Sequence, residues 1–273
     1  MKNTFSVLLS IYSKESSDNF RLSLESIFHQ TILPQEVVLV EDGPLTAELD
    51  QVITDFLELY PSQLKIVKLP QNVGLGKALN FGLEYCSNEL VARMDTDDIA
   101  KLDRFEKQLA IFREHPEVDI CSAWIDEFEG DIASVKSVRK LPELHKDIVN
   151  FAKSRSPISH PVAMFKKSAV LTAGGYQHFP LFEDYHLWVR MILNGARFYN
   201  IQESLLYFRF SPQMFKRRGG LKYAIDEVRF QKYMYQEGFI SLIQFMKNVL
   251  IRFATRIMPN NLRSFIYIKL LRN

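Results

Sequence analysis

The chain has 273 residues, 47% hydrophobic and 24% charged, the balance of a folded globular protein and of one elaborated domain; disordered and collagen-like architectures are excluded. Its net charge of +2 hides an asymmetry: residues 210–273 carry 12 Lys or Arg against 3 acids, and residues 1–209 carry 22 against 29. Only two cysteines, Cys86 and Cys121, occur, both in apolar segments, which argues against a disulfide framework or a Cys-based zinc site and for a reducing compartment.

The N-terminus runs within a few residues into a strand-like stretch and lacks the regions of a signal peptide, so export is not expected. The pattern then predicts a strand at Phe5 to Ile11, an amphipathic helix at Phe20 to Gln30 and a nearly continuous apolar strand at Glu36 to Glu41. A helix at Asp50 to Tyr60, a strand at Lys65 to Leu69, a helix at Gly76 to Cys86 and a strand at Leu90 to Met94 continue the alternation. Strands alternating with helices give an α/β fold, a doubly wound and mainly parallel sheet. A helix at Arg104 to Glu114 and a strand at Asp119 to Ile125 follow, and residues 126–160 show no clear period. Strands are expected at Val162 to Phe165, Phe198 to Ile201 and Leu205 to Phe210, with helices at Lys167 to Ala173 and Asp184 to Asn194. No apolar run approaches the ~20 residues that cross a bilayer, because Lys and Arg interrupt each candidate near the C-terminus.

Ligands of such sheets sit beyond the carboxyl ends of the strands, at the switch in strand order. Three polar segments hold that position: Ser10 to Glu15, Asp42-Gly43-Pro44 and Asp95-Thr96-Asp97-Asp98. Asp95 and Asp97, two residues apart at a strand end, can face one hard divalent cation, Mg²⁺ or Mn²⁺; the plainer reading is an acidic helix N-cap at Asp98. Asp42 is either a turn residue or an acceptor for a base or ribose. Gly74-Leu-Gly-Lys77 is not a Walker A loop, since Gln71 and Ala78 stand where Gly and Ser or Thr are required, but its backbone N–H groups can meet an anion. The first strand is not followed by GxGxxG, which argues against a dinucleotide fold. Glu183 and Asp184 either cap a helix or supply a general base; His160 is either structural or part of the cleft; Lys216-Arg217-Arg218-Gly219-Gly220 is either a solvated basic loop or one that closes over a diphosphate.

Five motifs in order, Ser6-Val-Leu-Leu-Ser-Ile-Tyr12, Val40-Glu-Asp-Gly43, Asn72-Val-Gly-Leu-Gly-Lys-Ala-Leu-Asn80-Phe-Gly82, Ala92-Arg-Met-Asp-Thr-Asp-Asp98 with Arg104-Phe105, and Glu183-Asp184-Tyr-His-Leu-Trp188, make the chain resemble a family 2 glycosyltransferase of GT-A fold. The likeness is to the amylovoran, exopolysaccharide, capsule and O-antigen type and covers residues 1–210. It implies a nucleotide-binding half at about 1–115, an acceptor-side half at 116–210 and a basic helical extension at 211–273. Tyr12, Glu15 and Asp42 would hold the base of a UDP-sugar, with Asp95 near its ribose and Ser10, Asn72, Gly74, Lys77, Arg93 and Thr96 completing the donor site. Asp97 would be the principal ligand, with Asp95, of Mn²⁺ or Mg²⁺, and Asp184 the base of an inverting displacement. His160, Glu183, Trp188, Arg217 and Arg218 fall on the acceptor or diphosphate side. Ser10 and Ser13 replace the Pro and Asn of many relatives.

In the tail, Leu242, Ile243, Met246, Val249, Leu250, Phe253 and Ile257 share one helical face, with Lys247 and Arg252 flanking it. Residues 239–273 are therefore expected to lie on an anionic leaflet, at the cytoplasmic face of a membrane, where a lipid-linked saccharide acceptor would be met. The alternative is packing against the rest of the chain or a second copy in a homodimer. Nucleic acid is not an expected partner, because the tail aromatics fall on the apolar stripe. A sugar-nucleotide nucleotidyltransferase and a catalytically silent scaffold of a polysaccharide assembly complex are the competing functions.

Overall fold

The computed structural model of the chain describes residues 4–210 and 220–257. Lys216, Arg217 and Arg218, and the tail from residue 258 onward, lie outside the described residues. The first strand, β1 (Phe5–Ile11), is apolar at almost every position because both its faces are covered. Phe5, Val7, Leu9 and Ile11 pack under α1 (Ser17–Phe28), while Leu8 packs on the opposite side with Val38 and Val40 of β2 (Glu36–Glu41). Ser16 starts α1 by accepting from Asn19 N at 3.4 Å, and Thr46 starts α2 (Ala47–Leu59) in the same way from Leu49 N.

β3 (Leu64–Lys68), α3 (Leu75–Tyr85) and β4 (Leu90–Arg93) complete the parallel part, in the spatial order β3-β2-β1-β4. The order reverses at β1, so the crevice of the sheet opens beyond the carboxyl ends of β1 and β4. Gly82 of α3 lets that helix lie directly on the strands: a Cβ there would come 2.5 Å from Val40 Cγ2 and 2.6 Å from Leu8 Cδ1. Asp95 to Asp98 do not cap a helix. They form a turn into a two-residue strand, β5 (Ile99–Ala100), ahead of α4 (Arg104–Glu114).

The second half extends the same sheet with mixed polarity. β6 (Ile120–Phe128) carries β7 (Val135–Arg139) antiparallel on one side, and α5 (His145–Ala152) follows. Both elements lie in the stretch without sequence period; β7 is short and has no buried position, so burial imposes no alternation on it. His160–Val162 form a 3₁₀ turn rather than the start of a strand, consistent with a proline fixed at helical φ in its first turn. The strand β8 (Met164–Lys166) begins after it and pairs antiparallel with β4 and β6. After α6 (Lys167–Thr172) and α7 (Glu183–Leu193), the two expected strands are one, β9 (Phe198–Arg209), parallel to β6 and antiparallel to β5. The polar break read in the sequence is a bulge, where the register jumps from Ala123↔Ile201 to Trp124↔Ser204 and leaves Gln202 and Glu203 unpaired in the ladder.

Two further helices, α8 (Leu221–Gln236) and α9 (Leu242–Ile257), form an antiparallel pair against α7. Phe230 of α8 is fully buried, stacked on Phe182 at 5.2 Å and tilted against Tyr185 at 4.7 Å. Gly82→Ala is expected to lower unfolding stability by about 1–3 kcal/mol, because the added methyl overpacks Leu8 and Val40. Denaturant titration of the two proteins measures it.

Candidate active site at the carboxyl edge of the sheet

A cleft of about 580 Å³ lies at the switch point. Ser10, Tyr12 and Glu15 enter it from the end of β1, Asp42 from the end of β2, and Arg93, Asp95, Thr96 and Asp97 from the end of β4. Asn72 and Gly74 complete this end from the loop before α3. Asp184 and His160 face the cleft from the other half of the sheet.

Asp42 organises the loop beside it. Its Oδ1 accepts from Val73 N at 2.6 Å and its Oδ2 from Gly74 N at 3.1 Å, while Asn72 donates to its carbonyl at 3.3 Å. The anion met by the Gly-rich helix entrance is thus the chain's own carboxylate. Gly43, at φ 88°, has no alternative: a Cβ would come 2.6 Å from the backbone N of Asn72. Lys77 sits on the exposed side of the first turn of α3 and does not line the cleft; Ala78 and Leu79 take the buried side.

Carboxylate oxygens of Asp95, Asp97 and Asp98 all lie within 4.8 Å of one another. Burial, and the charges of Asp95 and Glu15, push the Asp97 carboxyl up to about 7. Asp98 is completely buried and also pushed well up, by burial and then by Asp97 and Asp95. Its Oδ1 accepts from Arg209 N at 2.8 Å, whereas its Oδ2 is buried with no hydrogen-bond partner among the described residues. Glu15 is tied to the same group by the hydroxyl of Thr96, which donates to its Oε2 at 3.2 Å.

Two buried arginines oppose this charge. Arg93, 1% exposed, pairs with Asp95 and presents Nε and Nη1 without hydrogen-bond partners among the described residues. Arg104 lies beneath it, donating from Nη2 to Arg93 O at 2.6 Å and from Nε to Gln108 Oε1 at 3.1 Å. Burial, with the Arg93 charge, draws Arg104 down to about 9.

At the other end, Asp184 stands in the first turn of α7. His160 is buried, its Nε2 2.8 Å from the Tyr176 hydroxyl, and burial together with Arg93 keeps its pKa well below the usual value, so the ring is neutral at pH 7. The loop bearing Tyr176 is pinned to α3 by Asn80, whose Oδ1 accepts from Tyr176 N at 2.7 Å and whose Nδ2 donates to Tyr176 O at 2.5 Å. Two expected members of this side are displaced. Trp188 is fully buried one turn below Asp184, edge-on to His160 at 5.8 Å, and so supports the site from the core. Glu183 turns toward α3, where a Cβ on Gly76 would come 3.4 Å from its Cγ, and it does not line the cleft.

The cleft also contains residues with no sequence signal: Glu127 on β6, Arg139 on β7, Phe208 and Arg209 on β9, Leu181 and Tyr223. Glu127 is 2% exposed and accepts from Ser137 Oγ at 2.6 Å; Arg139 donates to Ser156 O at 2.9 Å. Leu181 has φ 68°, the single positive-φ non-glycine among the described residues, and strain of this kind gathers at functional sites.

An α/β sheet with a carboxylate cluster at its switch point, facing an acid on α7, has its ligand cleft where sheets of this class bind their ligands. The profile of glycosyl transferase family 2 matches residues 6–171, and the chain belongs to that family. Over 268 residues it is 40% identical to the UDP-Gal:alpha-D-GlcNAc-diphosphoundecaprenol beta-1,3-galactosyltransferase of Escherichia coli, covering 98% of this chain and 96% of that one. The amylovoran biosynthesis glycosyltransferase AmsE of Erwinia amylovora is 41% identical, with 97% and 98% covered. Among solved structures, TarS residues 1–349 of S. aureus in complex with UDP-GlcNAc superposes with a TM-score of 0.65 at 20% identity, over 93% of this chain and 72% of that one. The fold is that of the GT-A glycosyltransferases, and the protein is a glycosyltransferase; the nucleotidyltransferase and scaffold alternatives fall away.

Asp42→Ala strips two backbone N–H groups of their acceptor. It is expected to cost about 1–3 kcal/mol of stability, read by thermal unfolding.

Proposed function

We propose that this chain transfers a sugar from a UDP-sugar to a lipid-linked saccharide in cell-surface polysaccharide biosynthesis, with inversion at the anomeric carbon. The observation that carries the reading is the placement of Asp95, Asp97 and Asp184 around one cleft at the switch point, in a chain similar over almost its whole length to a transferase whose name specifies UDP-Gal and a diphosphoundecaprenol acceptor.

The acid cluster fits a divalent cation of Mg²⁺ or Mn²⁺ type. Its donors are hard oxygens, Asp98 Oδ2 is buried without a hydrogen-bond partner among the described residues, and the Asp97 proton is held to about 7 by burial and then by the charges of Asp95 and Glu15. Asp97 and Asp95 would hold the ion, which when bound supplies positive charge opposite the diphosphate of the donor. Arg93, aimed into the same space, adds a fixed cation beside the donor. Tyr12, Glu15 and Asp42 are positioned to meet the base and ribose at the mouth of β1 and β2.

Asp184 is the base. Its carboxylate takes the proton of the acceptor hydroxyl as that oxygen bonds to the anomeric carbon, and the bond from that carbon to the UDP oxygen breaks on the opposite face. Neutral His160 lines the cleft beside Asp184, held by the Tyr176 hydroxyl, and is suited to orient a sugar hydroxyl without competing for the proton. Among the described residues no helix is long and apolar enough to cross a membrane; we place the protein at the inner face of the cytoplasmic membrane, where such an acceptor is presented.

Calorimetric titration of UDP with and without Mn²⁺ tests the donor site: binding should require the ion and be lost in Asp97→Ala, and absence of UDP binding under both conditions would sink the reading. Asp184→Asn should keep UDP binding while lowering kcat about 10²–10⁴-fold. Because the folded chain holds the Asp97 proton up to about 7, that proton must leave before a cation binds. Mn²⁺ affinity is therefore expected to fall roughly tenfold per pH unit below 7 and to be level above it, measured by titration across that range.

A further inference from the structure

Helix α9 is amphipathic in the reverse of the usual sense. Its inward face is polar: Asn248 donates to Lys153 O at 2.8 Å and to Gln231 Oε1 at 2.7 Å, Arg252 binds Glu227 and Ser154 O, and Arg256 Nε meets Glu227 Oε2 at 2.7 Å. Glu227, 1% exposed, is the anchor of this seam. The outward face is apolar: Ile243 is 81% exposed, Leu250 74% and Met246 63%, with Leu242 and Ile251 beside them. Val249 and Phe253, expected on the same stripe, are half-buried, and Arg252, expected to flank it, points inward.

A helix bordering water alone would turn this face to the body, since burial of such side chains is the main favourable contribution to packing. Here the ion pairs hold the apolar side outward. Charge indicates what meets it. On α8 and α9 the exposed cations are Lys222, Arg229, Lys232 and Lys247, against Glu237 as the one exposed acid of the described residues there; Asp226 and Glu227 are buried. A second copy of the same surface would bring like charges together, whereas an anionic leaflet accepts both the apolar side chains and the cations.

We infer that the outward face of α9 docks on an anionic lipid surface and that this docking turns the acceptor end of the cleft toward the leaflet. The C-terminal end of α9 abuts that end of the cleft: the Arg256 guanidinium lies 4.6 Å from the ring centroid of Tyr223, and Tyr223 lines the cleft. A saccharide whose lipid stays in the bilayer then needs to rise only a short way to reach Asp184. The second half of the inference rests on the lipid-linked acceptor proposed above; the docking itself does not.

The test is co-sedimentation of the full chain with phosphatidylglycerol/phosphatidylcholine vesicles and with phosphatidylcholine alone. The wild-type chain should pellet with the anionic vesicles, and Ile243→Glu/Met246→Glu/Leu250→Glu should reduce that partition about tenfold or more, with unchanged UDP titration and thermal unfolding. Transfer to a bilayer-embedded acceptor should fall with it, while transfer to a short-chain, water-soluble acceptor should not. Wild-type protein recovered in the supernatant, or the triple variant pelleting equally, overturns the docking. A wild-type dimer that the substitutions dissociate, with no vesicle binding, assigns the face to a second copy instead. Binding seen only after truncation beyond Ile257 assigns it to the chain's own tail. UDP titration is independent of every one of these outcomes, so loss of docking and loss of the transferase reading are told apart.

Discussion

Four carboxylates, those of Glu15, Asp95, Asp97 and Asp98, are crowded at the end of β4, and the surrounding structure is arranged around their repulsion. Arg93 takes Asp95, the backbone of Arg209 takes Asp98, and the Arg209 side chain donates to the carbonyl of Asp97 at 2.9 Å. Burying Arg93 requires a support that does not neutralise it, and Arg104 provides this by bonding its carbonyl. Gln108, one turn along α4, accepts from Arg104 and donates to Val162 O at 2.7 Å. The 3₁₀ turn that carries His160 is thereby fixed by the same chain of contacts that fixes the acids.

The two halves of the sheet are joined near the cleft by polar contacts of large sequence separation. Asn80 on α3 holds both backbone groups of Tyr176, whose hydroxyl meets His160, while α3 itself begins at the loop clasped by Asp42. Asn80 and Asp42 are bonded to backbone and His160 to Tyr176, while Arg93, at the cleft, keeps Nε and Nη1 without hydrogen-bond partners among the described residues. Buried polar groups kept unpaired are costly in a finished core and are kept where a ligand completes them.

Much of the first half was legible because β1 and β2 are covered on both faces and read as unbroken apolar runs separated by helices. The acids followed from the rule that ligands gather beyond strand ends. The second half hid for specific reasons: β7 has no buried position, the turn at Pro161 takes in Val162, where a strand was expected to begin, and the Gln202–Glu203 bulge breaks the apolar pattern of β9. Glu127 and Arg139 enter the cleft from that stretch and carried no pattern of their own. Trp188 was misplaced because it shares a helical face with Asp184; one turn deeper, that face has left the cleft and entered the core. The apolar stripe of α9 could be read from the sequence, but which side of the helix met the body could not, since that depends on Glu227, 25 and 29 residues before the Arg252 and Arg256 that pair with it.

The clasp on Asp98 comes from a residue 111 positions later in the chain. During synthesis the strands β1 to β4 emerge and can pair long before Arg209 exists, and in that interval the acids crowd without their partner. The first half of the sheet is therefore not a module that matures by itself: its acid cluster is completed by the last strand of the sheet to leave the ribosome. A ribosome stalled short of β9 would display a folded-looking α/β layer in which Asp97 and Asp98 lack their contacts with Arg209, and release of the final strand would supply them.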